Sequence, residues 1–169
     1  MCLFKTTSDA HLEEVFDAGA ETNVPDDVKW AGLDESQRTA VKRLYAWIRS
    51  CVPDGATSAD LSTFKSEKFR DEISDYVDKA FLLTYYLWTD YFLAVDQRAK
   101  NMMLRTWDGL IWYITYYDGD TQMGKRNDCF LVYDYTTDRD TYDAEAGKYA
   151  FEGRDSWLWN LVLANLDLS

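Results

Sequence analysis

The chain has 169 residues, of which 47% are apolar and 16% aromatic, so it can bury one sizeable hydrophobic core. Its 30 acidic residues outnumber 18 Lys and Arg, and the net charge at pH 7 is -12. That charge disfavours direct binding to nucleic acid or to an anionic membrane, because both need an excess of basic residues. The aromatic content excludes a disordered acidic tail.

The sequence predicts a single cytoplasmic domain over residues 1–169. No repeat or low-complexity linker divides it, and its most apolar run, 80–89, is much shorter than the ~20 residues that span a bilayer. The first residues lack the charged and then apolar pattern of a signal peptide. Three widely spaced cysteines are typical of reduced thiols, and they exclude a disulfide scaffold and a zinc site made of paired cysteines.

The first elements are predicted from capping residues and apolar spacing. Ser8 or Asp9 is expected to cap a short helix that ends at Gly19, and 21–32 has the composition of a loop. Asp34 followed by Gln37 resembles a capping box. The apolar residues beyond it fall at helical spacing as far as Pro53, which predicts a second helix.

A longer helical stripe predicts the centre of the fold. Its members step by three and four residues, as one face of a helix requires: Phe69, Ile73, Val77, Phe81, Tyr85, Trp88, Phe92 and Val95. We therefore expect one long, aromatic helix over 66–105, with a possible break near Asp96. The aromatic residues of this and the later elements are expected to pack in the core, namely Tyr85, Trp88, Phe92, Trp107, Trp112 and Trp157.

After residue 109 the composition becomes aromatic and β-branched, which is typical of strands. Candidate strands are 110–117, 129–137 and 148–152, each bounded by Gly or Asp. The apolar segment 156–166 is predicted to be a helix, although a buried strand would have the same residues. The predicted fold class is α+β, with a helical N-terminal two thirds and a small antiparallel sheet in the C-terminal third.

No pattern of residues predicts catalysis. The one histidine, His11, has no partner at a spacing that suggests a triad, and the isolated glycines form no phosphate-binding loop. Acids in 134–145 partly match a calcium loop, but Thr136 and Arg139 stand where an acid and a Gly are needed. Asp17 and Asp27 with Lys29 imitate a nuclease arrangement no better than chance. We expect no catalytic residue, metal or cofactor.

The acidic residues are concentrated near the C-terminus. Residues 118–169 have 11 acids and 5 bases, and therefore half of the net charge. Tyrosines stand among these acids, and together they form the predicted partner-binding site: Asp118, Asp120, Asp134, Tyr135, Asp138, Asp140, Tyr142, Asp143 and Glu145. Tyr supplies contact area and carboxylates steer a basic partner, so this pattern favours binding to a protein with a basic surface.

These observations lead to the hypothesis of a non-enzymatic acidic protein that inhibits or neutralises a macromolecule. The partner would be a nucleic-acid-binding protein or a nuclease. Two roles fit: a phage inhibitor of host defence, such as an anti-CRISPR or antirestriction protein that mimics nucleic acid, or a toxin-immunity protein. The alternatives are a carboxylate-based metal enzyme and a structural or assembly subunit. The acidity could also serve solubility alone.

Overall fold

The protein combines helices with antiparallel strands, and its α+β class is confirmed. The computed structural model describes residues 2–5, 34–56, 61, 63–94, 97–98, 102–116, 119, 122–123, 142–143, 148–149 and 157–166. The elements are β1 (Cys2–Lys5), α1 (Glu35–Ser50), α2 (Glu67–Glu72), a 3-10 turn (Ile73–Asp75), α3 (Lys79–Tyr91), β2 (Met103–Thr106), β3 (Trp112–Thr115), β4 (Tyr142–Asp143), β5 (Lys148–Tyr149) and α4 (Trp157–Asn165).

Helix α1 begins at the predicted capping box. The Asp34 carboxylate accepts a hydrogen bond from the Gln37 backbone N–H at 2.9 Å, and the Gln37 side chain accepts one from the Asp34 N–H at 3.0 Å. These two bonds satisfy donors that the first turn of a helix leaves open. The apolar face of α1 is buried, and the helix ends just before Pro53, as the sequence predicts.

The prediction of one long helix over 66–105 is wrong. The segment contains α2, the 3-10 turn, α3 and strand β2. The chain leaves helical geometry at Tyr76, after the 3-10 turn. Asp78 is extended, and its carboxylate accepts from the Phe81 N–H at 2.8 Å, so that it caps a new helix. The periodicity concealed the break because Ile73 and Val77, which precede α3, are buried like the inward residues of α3.

The break is held by backbone pairing with β3. The Trp112 N–H donates to the Tyr76 carbonyl at 2.8 Å, and the Asp78 N–H donates to the Trp112 carbonyl at 3.0 Å. These bonds form a parallel bridge between Val77 and Trp112. A continuous helix would need the same backbone groups for its own bonds, so the chain cannot form both.

The three-stranded sheet has the order β1-β2-β3, and both pairs are antiparallel. Strand β3 confirms the predicted strand over 110–117. The sheet is not confined to the C-terminal third, because β1 comes from the N-terminus and β2 lies inside the predicted long helix. Alternate residues of β2 and β3 are buried on one face, namely Leu104, Thr106, Trp112 and Ile114.

The described C-terminal elements are a short strand pair and a helix. Strands β4 and β5 are antiparallel, and β5 lies at the start of the predicted strand 148–152. Helix α4 confirms the helix predicted over 156–166. The predicted N-terminal helix and the strand 129–137 lie outside the described residues.

Helix α4 completes the core. Most of its residues are buried, and buried Asn165 links it to α2, since its side chain donates to the Phe64 carbonyl at 2.9 Å and accepts from the Ser66 N–H at 2.6 Å. On α1, the Trp47 ring stacks on Phe69 and Tyr76, with centroids 5.4 and 4.5 Å away. Within the described residues, no helix has the length and apolar character needed to cross a bilayer.

Two phenylalanines provide a matched test of this core. Phe69 is 0% exposed and Phe81 is 42% exposed. Phe69→Ala leaves a cavity against Trp47, so it should lower the free energy of unfolding by about 3 to 5 kcal/mol. Phe81→Ala loses mainly one edge contact with Tyr113 and should cost about 1 kcal/mol. Urea unfolding of both variants measures the difference, and equal losses would contradict this placement of the core.

Candidate functional site

Most of the predicted acidic binding site lies outside the described residues: Asp118, Asp120, Asp134, Tyr135, Asp138, Asp140 and Glu145. The other two residues are placed by their backbone. On β4, Tyr142 pairs in register with Tyr149, and Asp143 pairs with Lys148. The register thus places one acid opposite one base, and the convergence of the acids on one face stays a prediction.

Helix α3 and strand β3 run side by side in the same direction, and this arrangement builds a second candidate surface. Both start near the bridge of Val77 to Trp112. The ring of Phe81 lies 6.3 Å from that of Tyr113, and the ring of Trp88 lies 4.4 Å from that of Tyr116. The helix rises about 10 Å from Phe81 to Trp88, at ~1.5 Å per residue. The strand direction also advances about 10 Å from Tyr113 to Tyr116, at ~3.3 Å per residue, so the two pairs of rings match.

The α3-β3 surface, as we name it, is aromatic and partly open to solvent. Its members are Phe81, Leu87, Trp88, Tyr91, Phe92, Tyr113, Tyr116 and Met123. Tyr91 is 72% exposed and Leu87, one turn before it on α3, is 52% exposed. Phe92 contacts both neighbouring rings of the helix, with centroids 5.1 Å from Tyr91 and 5.4 Å from Trp88. This group of exposed apolar side chains makes the α3-β3 surface a candidate interaction site.

A buried polar cluster fixes the C-terminal end of α3 beneath this surface. The buried Arg98 donates to the Thr89 hydroxyl at 2.9 Å, to the Tyr86 carbonyl at 3.1 Å and to the Asp90 carboxylate at 3.2 Å. Its guanidinium also lies 4.0 Å from the centre of the Tyr86 ring. A cation at the end of a helix offsets the partial negative charge of the last carbonyls, so Arg98 stabilises the end of α3.

Two further features hold that end in place. The Tyr85 hydroxyl donates to the Gln97 carbonyl at 2.7 Å, and burial raises the pKa of Tyr85 far above its ordinary value. Leu93 has a left-handed backbone with φ of 46°, where Gly is usual. The Ala94 N–H then donates to the Thr89 carbonyl at 2.9 Å and closes the helix. The aromatic side chains of α3 are therefore presented from a fixed backbone.

A small cavity of about 160 Å³ lies between the start of α1 and the turn from β2 to β3. We name it the Trp107 cavity, and it is lined by Ser36, Gln37, Ala40, Thr106, Trp107, Asp108 and Gly109. The Asp108 carboxylate accepts from the N–H groups of Leu110 and Ile111 at 2.8 and 3.0 Å. These bonds lower the pKa of Asp108, so the carboxylate is ionised at neutral pH.

The prediction that Trp107 packs in the core is wrong, because its side chain is 66% exposed. Tyr85 and Trp112 are buried as predicted, whereas Trp88, Phe92 and Trp157 are half-buried. The neighbouring turn residues Asp108 and Gly109 were a signal of exposure at Trp107. No sequence pattern indicated the role of Arg98, because it follows α3 by a loop.

Among the described residues, the side chain of Cys51 is not poised for nucleophilic catalysis. Cys51 is buried, and burial raises the pKa of its thiol to about 11, with the charge of Glu72 adding to the shift. A neutral thiol is a poor nucleophile. Within the described part of the chain, no three His, Cys, Asp or Glu residues come together as metal ligands. His11 lies outside that part.

Comparisons with protein-family models, with curated proteins and with solved structures found no match. Function is therefore inferred from the residues and the geometry described above.

The buried thiol gives a prediction for pH. The buried, neutral thiol of Cys51 contributes fully to folding stability at pH values below about 9, its ordinary pKa. This contribution is lost as the pH rises toward 11. In a Cys2→Ser and Cys129→Ser variant, Cys51 should react with a disulfide reagent at pH 8 roughly a hundredfold more slowly when folded than in urea, because a pKa near 11 instead of near 9 lowers the thiolate fraction by about that factor. Equal rates would contradict the burial of Cys51.

Proposed function

We propose that the protein is a non-enzymatic, acidic binding protein that inhibits or neutralises a macromolecular partner. The observation that supports this most is the exposed α3-β3 surface in a chain with a net charge of -12. The partner is a protein with a basic surface, such as a nucleic-acid-binding protein or a nuclease. The protein acts in the cytoplasm and binds neither nucleic acid nor membrane directly.

The α3-β3 surface supplies the contacts that stabilise the complex. Tyr and Trp dominate the binding energy of protein interfaces because they bury a large area and lose few rotamers. Tyr91 and Leu87 are the most exposed large hydrophobic side chains of α3, and Phe92 links the ring of Tyr91 to that of Trp88. A stable interface buries ~800 Å² on each partner, so neighbouring residues must also take part.

The acidic C-terminal region supplies the charge. Eleven acids among residues 118–169 attract a basic surface over several ångströms and raise the rate of association. Aspartates hold their charge close to the backbone, as an array of phosphates does, so these acids fit a site that otherwise binds nucleic acid. An aromatic contact surface combined with a separate acidic region favours a phage inhibitor of a defence nuclease, of the anti-CRISPR or antirestriction kind, or a toxin-immunity protein.

One test of the proposed function concerns the aromatic contact. Tyr91→Ala should weaken inhibition of a captured nuclease at least about tenfold, because an anchor residue of an interface contributes more than about 1.4 kcal/mol. Tyr91→Phe retains the ring and serves as the matched control, with a change of no more than about threefold. Inhibition is measured as a function of protein concentration. Wild-type inhibition by both Tyr91→Ala and Leu87→Ala would contradict a role for this surface.

Another test of the proposed function concerns the charge of the C-terminal region. Reversal of Asp134, Asp138, Asp140 and Asp143 to Lys should slow association with the partner at low salt and flatten its salt dependence, because steering charge acts through the screened field. Stopped-flow association at low and high salt measures both effects. A matched variant, with Asp71, Asp75, Glu67 and Asp54 reversed to Lys, carries the same net charge. If both variants slow association equally, the charge of the C-terminal region has no special role.

A further inference from the structure

The Trp107 cavity has the chemistry of a cation site. Trp107 presents an indole that is 66% exposed and makes no hydrogen bond or ring contact with any described residue. Beside it, Asp108 is ionised, and none of the described residues that line the cavity is basic. An aromatic face next to a carboxylate attracts a cation both through the ring quadrupole and through charge.

Two further acids stand just before the lining residue Ser36 in the sequence, at the start of α1. Asp34, at the start of α1, accepts from the Ser36 hydroxyl at 2.6 Å, and this bond together with the Gln37 N–H lowers the pKa of its carboxyl. Glu35 adds a third acid in the first turn of α1. A helix N-terminus alone would attract an anion, but here Asp34 occupies the cap.

The Arg43 guanidinium lies at this turn, where backbone carbonyls engage it. Arg43 donates to the Leu110 carbonyl at 2.8 Å and to the Asp75 carbonyl at 3.1 Å. Its guanidinium lies 4.1 Å from the centre of the Tyr76 ring. Arg43 is thus held by two backbone carbonyls and one aromatic ring, and it is not among the residues that line the cavity.

We propose that the Trp107 cavity binds an arginine side chain of a basic protein partner. The source of the arginine rests on the function proposed above, whereas the chemistry of the cavity does not. A planar guanidinium can stack on the Trp107 indole and donate to Asp108 at the same time, which a lysine ammonium cannot do as well. A volume of about 160 Å³ is close to the ~150 Å³ that holds a benzene ring, so it fits one side-chain head group.

A titration with a synthetic peptide tests this site. Four-residue peptides of arginine, lysine and the neutral isostere citrulline are added to the nitrogen-15 labelled protein. The arginine peptide should shift the Trp107 indole N–H and the Gly109 amide, the lysine peptide should bind severalfold more weakly, and citrulline should produce no shift. Shifts spread evenly over the acidic residues, or an equal response to citrulline or lysine, would overturn the assignment.

Two variants separate the site from general charge. Asp108→Asn retains an oxygen that can accept from Leu110 and Ile111 but loses the charge, so it should weaken arginine binding severalfold while the turn persists. Trp107→Ala, followed at the Gly109 amide, should weaken it about two- to fivefold. Glu67→Gln removes one charge from α2, away from the cavity lining, and should leave binding unchanged. Full binding by both Asp108→Asn and Trp107→Ala would overturn the proposal.

The proposed arginine site and the proposed function can be refuted separately. Because the probe is a synthetic peptide, binding at Trp107 stands even if Tyr91→Ala retains full inhibition, and that result would overturn only the proposed role of the α3-β3 surface. Conversely, inhibition that depends on Tyr91 with no arginine binding at Trp107 would overturn only the cavity.

Discussion

The backbone bridge between residues 76–78 and Trp112 determines how the described parts of this protein fit together. Its two hydrogen bonds, at 2.8 and 3.0 Å, use backbone groups that a continuous helix would need. They end the helical run after the 3-10 turn, leave Asp78 extended and allow its carboxylate to cap α3. Because Trp112 is fully buried, this pairing lies in the core, where an unpaired backbone group would be costly.

The bridge also explains the two surfaces. From it, α3 and β3 leave in one direction with matched rise, so their aromatic residues meet in pairs and form the α3-β3 surface. On the other side of Trp112, the turn before β3 exposes Trp107 beside the start of α1. Trp112 therefore lies in the chain between the turn that lines the Trp107 cavity and the strand residues of the α3-β3 surface.

Local signals predicted the elements whose causes lie within a few residues. The capping box at Asp34 and Gln37 located α1, and the apolar composition of 156–166 located α4. The prediction of one long helix failed because the apolar residues, spaced by three and four, continue across Asp78. The interruption of the helix depends on Trp112, more than thirty residues away. Strand β1 depends on remote pairing with β2, whereas β2 also pairs with the nearby β3 and lies inside the segment predicted to be helical. Exposure of Trp107 depends on how the turn meets α1, and the side chains of the acidic site lie outside the described residues.

Helix α3 runs alongside β3 from the bridge and presents its aromatic side chains in register with those of the strand. The most direct measurement is the set of nuclear Overhauser effects between aromatic side chains of α3 and β3. Cross-peaks are expected from Trp88 to Tyr116, whose ring centroids are 4.4 Å apart, and weaker ones from Phe81 to Tyr113, at 6.3 Å. A helical α3 that shows neither set of cross-peaks would contradict the account.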